Sequence, residues 1–299
     1  MLLAEKATET ADKSLLLKAK AYMELMKARL SFLVAFSSGF GFMLANTSKL
    51  DWIGLLGLSI GGFLLSGGGI IINQILEVNY DKLMKRTRDR PLPTGKVNKT
   101  EASVLALICS LSGLILLALL TNTLTVVLSL VSLVLYSFVY TPLKRVGPIA
   151  VVVGAIPGAL PPLLGWVAAT GSISYEAIVI FSIQFIWQFP HFWAIAWVAD
   201  EDYTKAGFKL LPNGGKKDSY TAAQLMIYAL FLLPLGLLPM KIGITGINSA
   251  IIALVSGIVF VTLTIMLVKD CSRKSALKIM FGSFFYLPIV QVAFLLDKI

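Results

Sequence analysis

Nine stretches of apolar residues, each long enough to cross a bilayer as a helix, alternate with short polar connections. They run roughly over residues 25–46, 52–76, 102–120, 124–140, 147–169, 176–199, 221–240, 247–268 and 277–296. About 20 helical residues match the hydrocarbon thickness, so apolar runs of about 18 or more read as membrane-spanning helices. The third and fourth runs are parted only by the polar turn around Thr121 to Thr125. Residues 1–20 are polar, and no small-residue cleavage site follows a short apolar core, so they are expected to form a cytoplasmic tail. Residues 21–299 are then expected to form one all-α transmembrane domain, a nine-helix bundle around a central cavity.

Composition closes off the soluble alternatives. The chain is 57% hydrophobic and 14% charged, with a mean hydropathy of +0.83. Its net charge of +10 would suggest nucleic acid in a soluble protein, but here the basic residues follow the loops. With the N-terminus inside, the tail and the even-numbered loops carry 23 of the 26 Lys and Arg, and only Lys49, Lys241 and Lys298 fall outside. That is the positive-inside asymmetry. It predicts a cytoplasmic N-terminus, an external C-terminus, a lipid bilayer as surroundings and no nucleic-acid partner. The expected compartment is a bacterial plasma (inner) membrane. Cys109 and Cys271 lie in or beside separate helices without metal-ligand spacing, so they read as structural thiols.

Candidate chemistry concentrates where the second apolar run ends. Asn73, Glu77 and Asp81 are spaced four apart, and Lys82, Lys85, Arg86, Arg88, Arg90, Lys96 and Lys99 follow. A helix turns about 100° per residue, so each four-residue step moves a side chain only about 40° around the axis. The three oxygen-bearing side chains therefore share one face over about 12 Å of helix. Acidic ligands at a helix mouth beside a basic loop suit a diphosphate held through divalent cations. A second cluster ends the sixth run, where Asp200, Glu201 and Asp202 precede Tyr203, Lys205 and Lys209. If the two acidic ends face each other, they can hold two cations between them. Carboxylate and amide oxygens favour Mg²⁺, with Mn²⁺ as the alternative.

The only histidine, His191, lies in the aromatic stretch Trp187-Gln188-Phe189-Pro190-His191-Phe192-Trp193. If that helix continues to Asp202, eleven residues on, the two side chains project to nearly the same side. Pro157, Pro161, Pro162 and Pro190 are expected to interrupt their helices. The aromatic residues Trp187, Phe189, Trp193, Trp197 and Tyr140 are candidates to line an apolar tunnel, although such residues in membrane helices most often simply pack.

The segment from Asn73 to Leu92, reading N-Q-x-x-E-x-x-x-D-x-x-M-x-R-T-x-x-R-P-L, resembles the first acidic motif of the UbiA-type intramembrane prenyltransferases. YTPLKR at 140–145, GAIPGALPPLLGW at 154–166, WQFPHFWAIAW at 187–197 and EDYTKAGFKLLP at 201–212 are similar to that family's protohaem IX farnesyltransferase branch. Glu77 stands where many members of the wider superfamily carry Asp, and the second cluster is not a clean D-x-x-x-D. The resemblance implies a UbiA-like fold and transfer of a farnesyl chain from farnesyl diphosphate to the 2-vinyl group of haem b. Water addition would complete haem O, and diphosphate would leave. It further implies metal binding by Asn73, Glu77, Asp81, Glu201 and Asp202, and diphosphate contacts from Lys82, Arg86, Arg90, Lys144 and Arg145. His191, Tyr140, Trp187, Tyr203 and Lys205 become substrate contacts, His191 through the haem iron or a propionate. A haem A synthase or a terminal-oxidase assembly factor is the implied protein partner. A UbiA-type enzyme acting on an aromatic quinone or chlorophyll precursor is the alternative, and a cation transporter or a non-catalytic assembly factor are rivals from other classes.

Overall fold

Helix starts in this chain follow from capping residues that lie in the polar connections. In the computed structural model, which describes residues 16–46 and 50–299, nine helices among the described residues are long and apolar enough to cross a membrane. They are α1 (Ala28–Ala45), α2 (Trp52–Asp81), α3 (Lys99–Leu120), α4 (Thr123–Leu143), α5 (Ile149–Thr170), α6 (Tyr175–Val198), α7 (Ser219–Lys241), α8 (Ile247–Asp270) and α9 (Arg273–Leu296). The Asp51 carboxylate accepts from the Ile53 and Gly54 N–H groups to open α2, and Asn98 with Glu101 forms a capping box that opens α3. Ser174, Asp218 and Ser272 cap α6, α7 and α9 in the same way. Each side-chain oxygen satisfies an amide that the helix itself leaves without a partner. α5 closes on Gly171 at φ 77°, a left-handed position that glycine adopts at little cost.

Two boundaries differ from the hydropathy pattern. α2 continues five residues beyond its apolar run and carries Glu77 and Asp81 inside the helix. The chain also breaks at Lys27, whose φ of 44° is left-handed, so α1 starts at Ala28 and residues 16–25 form a separate helix. That helix crosses the boundary expected at residue 20. Ala21 and Leu25 bury themselves against α2 and α3, and Lys18 Nζ lies 2.7 Å from Glu101. The rest of the expected tail, residues 1–15, and the outer-loop Lys49 lie outside the described residues.

The prolines do not interrupt their helices as expected: α5 and α6 run on through them. A proline removes the bond to the carbonyl four residues earlier, and here at least one freed group is satisfied from a neighbour. Pro162 frees the Gly158 carbonyl, which accepts from Gln184 Nε2 on α6 at 2.8 Å. Such re-satisfaction is what makes proline tolerable inside a membrane. α5 is the most enclosed of the nine spans and α4 the least. α5 meets α1 closely: a Cβ on Gly165 would overlap the Ser38 carbonyl oxygen, and one on Gly41 the Pro162 carbonyl oxygen. Small residues that allow such backbone approach take over from the hydrophobic effect as the packing device in lipid.

Candidate active site

The far end of α2 carries Glu77 and Asp81, the two buried charged side chains among the described residues. Asn73, Glu77 and Asp81 are 3%, 4% and 1% exposed, and they line one stripe of the helix as their four-residue spacing requires. Unpaired charge at that depth would be costly, and both carboxylates have cationic partners. Arg90 Nη1 donates to Asp81 Oδ2 at 2.8 Å. Lys144 Nζ donates to Glu77 Oε2 at 3.0 Å and lies 2.9 Å from Oε1. Even so, Glu77 Oε1 and Asp81 Oδ1 are left buried without an aligned hydrogen-bond donor.

The amide of Asn73 is oriented rather than free. Its Nδ2 donates to Thr141 Oγ1 at 2.9 Å, while that hydroxyl donates to the Tyr136 carbonyl at 2.9 Å. Nδ2 is thereby occupied, which leaves Oδ1 as the atom available to a ligand. Thr141 reaches this position because residues Leu135–Tyr140 form a π-helical turn. Such turns rotate the residues after them relative to a regular helix, and they recur at functional sites. The same turn delivers Lys144, whose ammonium also lies 4.7 Å from the centre of the Tyr140 ring.

The connection after α2 folds back over its own helix end. Thr87 Oγ1 donates to the Asp81 carbonyl at 2.8 Å, and Met84, Leu92 and Val97 are buried beneath the loop. The connection after α6 docks onto it. Asp202 accepts from the backbone N–H groups of Lys85 and Arg86 at 3.0 and 3.1 Å, one to each oxygen. Arg86 Nη2 donates to Tyr203 OH at 3.3 Å, and Tyr203, Phe208 and Tyr80 form an aromatic chain back to α2.

Several sequence expectations need correction at this level. The two acidic clusters do not merge: among the described residues, no group of three or more His, Cys, Asp or Glu is placed to hold a metal ion. α6 ends at Ala199, where the backbone leaves helical geometry, so Asp202 turns toward the basic loop and commits both oxygens there. Glu201 and Lys205 are exposed, and Asp200 pairs with Lys217 at 2.9 Å. The same break separates His191 from Asp202; the histidine faces α9 instead, with Nδ1 2.8 Å from Ser283 Oγ. Arg145 reaches the neighbouring stripe of α2, lying over Tyr80 at 4.5 Å and near the Leu76 carbonyl. That stripe is about 100° around the helix from the carboxylates. Lys82 is exposed. Phe189, Trp193 and Trp197 are core residues; Trp187 also packs there and donates its indole N–H to the Ser283 carbonyl at 3.1 Å.

Two residues at this site, Thr141 and Lys27, escaped the sequence reading. Lys27 is half-buried, and its ammonium is pushed down to about 7, first by desolvation and then by repulsion from Arg90, Lys144 and Arg86. Asp81 opposes that shift. The turn before α1 thus brings Lys27 to the site, and two residues earlier the Leu25 carbonyl accepts from Gln74 Nε2 on α2 at 2.6 Å. The only sequence signal for Lys27 is a basic residue at the start of an apolar run, which the positive-inside pattern explains equally well.

Residues 33–287 match the model of the UbiA prenyltransferase family. The chain belongs to that family. Among its relatives, the protohaem IX farnesyltransferase of Cytophaga hutchinsonii is 54% identical over 280 residues, 94% of this chain and 98% of that protein. A solved digeranylgeranylglyceryl phosphate synthase superposes with a TM-score of 0.78 at 21% identity, covering 94% of this chain and 98% of that one. A UbiA homologue from Archaeoglobus fulgidus, solved with GPP and Mg²⁺, superposes with a TM-score of 0.62 at 18% identity over 92% and 99%. At those identities the structures establish the fold alone.

Proposed function

We propose that this UbiA-family enzyme transfers the farnesyl group of farnesyl diphosphate to the 2-vinyl group of haem b. The observation that supports the site assignment is a pair of buried carboxylates one helical turn apart, Glu77 paired with Lys144 and Asp81 with Arg90, with Asp81 Oδ1 left without a donor. Oxygens of that kind beside an oriented amide oxygen fit a hard divalent cation, and Mg²⁺ suits them better than a soft metal. Asn73, Glu77 and Asp81 would hold it; Mn²⁺ is the alternative ion. A second ion requires Asp202 to exchange its two backbone donors for a cation.

Bound there, the cation supplies charge stabilisation for a diphosphate leaving group. The chain's own residues do the rest. Arg90, Lys144 and Arg86 surround that leaving group with fixed positive charge, which stabilises the charge that develops as the allylic C–O bond breaks, and Lys27 adds to it when protonated. The vinyl carbon of the acceptor forms the new C–C bond, water supplies the hydroxyl oxygen, and its proton departs to solvent. The products are haem O and diphosphate. Tyr140 holds the Lys144 ammonium over its ring face, and His191 contacts the acceptor.

The relative from Cytophaga hutchinsonii, similar along nearly its whole length, supports haem as acceptor. The excess of basic residues at the site's end of the bundle supports a cytoplasmic site in a bacterial inner membrane. A haem A synthase or terminal-oxidase assembly factor would receive the product. Incubation of the purified protein with farnesyl diphosphate and haem b, followed by mass analysis, should give haem O only when Mg²⁺ or Mn²⁺ is supplied. Prenylated hydroxybenzoate in place of haem O would overturn the acceptor.

A further inference from the structure

Ser283 on α9 is bonded from α6 through both its polar groups. Its carbonyl accepts from Trp187 Nε1 at 3.1 Å, and its hydroxyl meets His191 Nδ1 at 2.8 Å. The same hydroxyl lies 2.6 Å from the Met280 carbonyl. A hydroxyl has one proton, and a carbonyl oxygen at 2.6 Å must receive it, since two facing lone pairs would repel at that distance. The Ser283 oxygen therefore accepts from His191, and Nδ1 carries the ring's N–H. In the neutral imidazole that leaves Nε2 with a bare lone pair. Trp187, one turn earlier on α6, stacks on the imidazole at 4.3 Å and 17°, and Phe284 meets its edge at 5.3 Å, so the ring has little rotational freedom.

This arrangement separates two readings of the histidine. A bare Nε2 cannot donate to a propionate carboxylate, which only accepts. It can bind a Lewis acid, and a hydrogen bond at the opposite ring nitrogen is the usual support for a metal-ligating histidine. We infer that His191 Nε2 is an axial ligand to the iron of the metalloporphyrin acceptor, with Ser283 as the positioning residue that sets its tautomer. This rests on haem being the acceptor.

The test is titration of ferric haem b into the purified full-length protein in nanodiscs, read by the Soret band and by the iron's electron paramagnetic resonance. The wild type should show histidine-ligated iron. His191→Gly should lose that signature, and added imidazole should restore it. Ser283→Ala should weaken haem binding about 10- to 100-fold, in line with the loss of an outer-shell partner, and Ser283→Thr should recover it. Metal-free protoporphyrin IX should bind wild type and His191→Gly alike. An unchanged histidine signature in His191→Gly, or equal loss of metal-free porphyrin binding, would overturn the ligand role. Ser283→Ala indistinguishable from wild type would overturn the positioning role. If haem O forms while those results fail, only this inference falls; if the wild type neither binds nor farnesylates haem, the functional reading falls with it.

Discussion

Replacing Arg90 by alanine removes the sole hydrogen-bond donor to the Asp81 carboxylate among the described residues, the Arg90 Nη1 contact at 2.8 Å. Asp81 is 1% exposed and its other oxygen already has no donor, so water cannot take over the lost bond without opening the loop. Breaking a buried ion pair by removing one partner costs about 3–5 kcal/mol, chiefly because the remaining charge is stranded. Arg90→Ala should therefore lower stability by about that amount in metal-free protein, measured from SDS-induced unfolding of the detergent-solubilised enzyme. Asp81→Asn/Arg90→Ala removes the stranded charge as well, and it should recover all but about 1 kcal/mol, the net value of an ordinary hydrogen bond. Catalysis should not recover. Losing one fixed donor to developing negative charge costs about 10²–10³ in turnover, and the double variant also lacks a metal ligand. Stability rescued while activity stays lost is the expected pattern. If Arg90→Ala unfolds at the wild-type midpoint, or if the double variant is less stable than either single one, the buried pair is not what holds the loop over Asp81.

Other perturbations give sharp outcomes. Thr141→Val deletes both the acceptor for Asn73 and the donor to the Tyr136 carbonyl; farnesyl transfer should fall about 10-fold or more, and the Mg²⁺ concentration for half-maximal rate should rise, with little change in folded yield. Asp202→Ala removes the acceptor for the Lys85 and Arg86 amides, so limited trypsin digestion should cut after Lys85 or Arg86 faster than in the wild type. Gly165→Val should abolish folded protein, judged by monodisperse elution in detergent, because its Cβ would overlap the Ser38 carbonyl. Lys27 is pushed down to about 7 in the folded, ligand-free protein. Below its ordinary value of about 10.4 the unfolded chain holds this proton more readily, so stability should rise with pH from about 7 toward 10. In Lys27→Met that part of the slope should vanish.

Helix number and approximate span boundaries are legible from hydropathy because a bilayer imposes one length and one polarity on every crossing. The stripe Asn73, Glu77 and Asp81 is legible for an equally local reason, since spacing along a single helix decides which side chains share a face. Beyond one helix that logic stops. No local pattern marks the π-turn at Leu135–Tyr140 that turns Thr141 and Lys144 toward α2, nor the break at Ala199 that parts His191 from Asp202. The pairing of Arg90 with Asp81, the diversion of Arg145 to Tyr80, the role of Asp202 as a latch between loops and the buried place of Lys27 depend on contacts between distant segments. Those contacts are chosen by burial: once the spans pack, each charged group at their ends must find a partner within reach or lose its hydration uncompensated. Which partner that is depends on three-dimensional proximity, and the order of residues along the chain does not contain it in readable form.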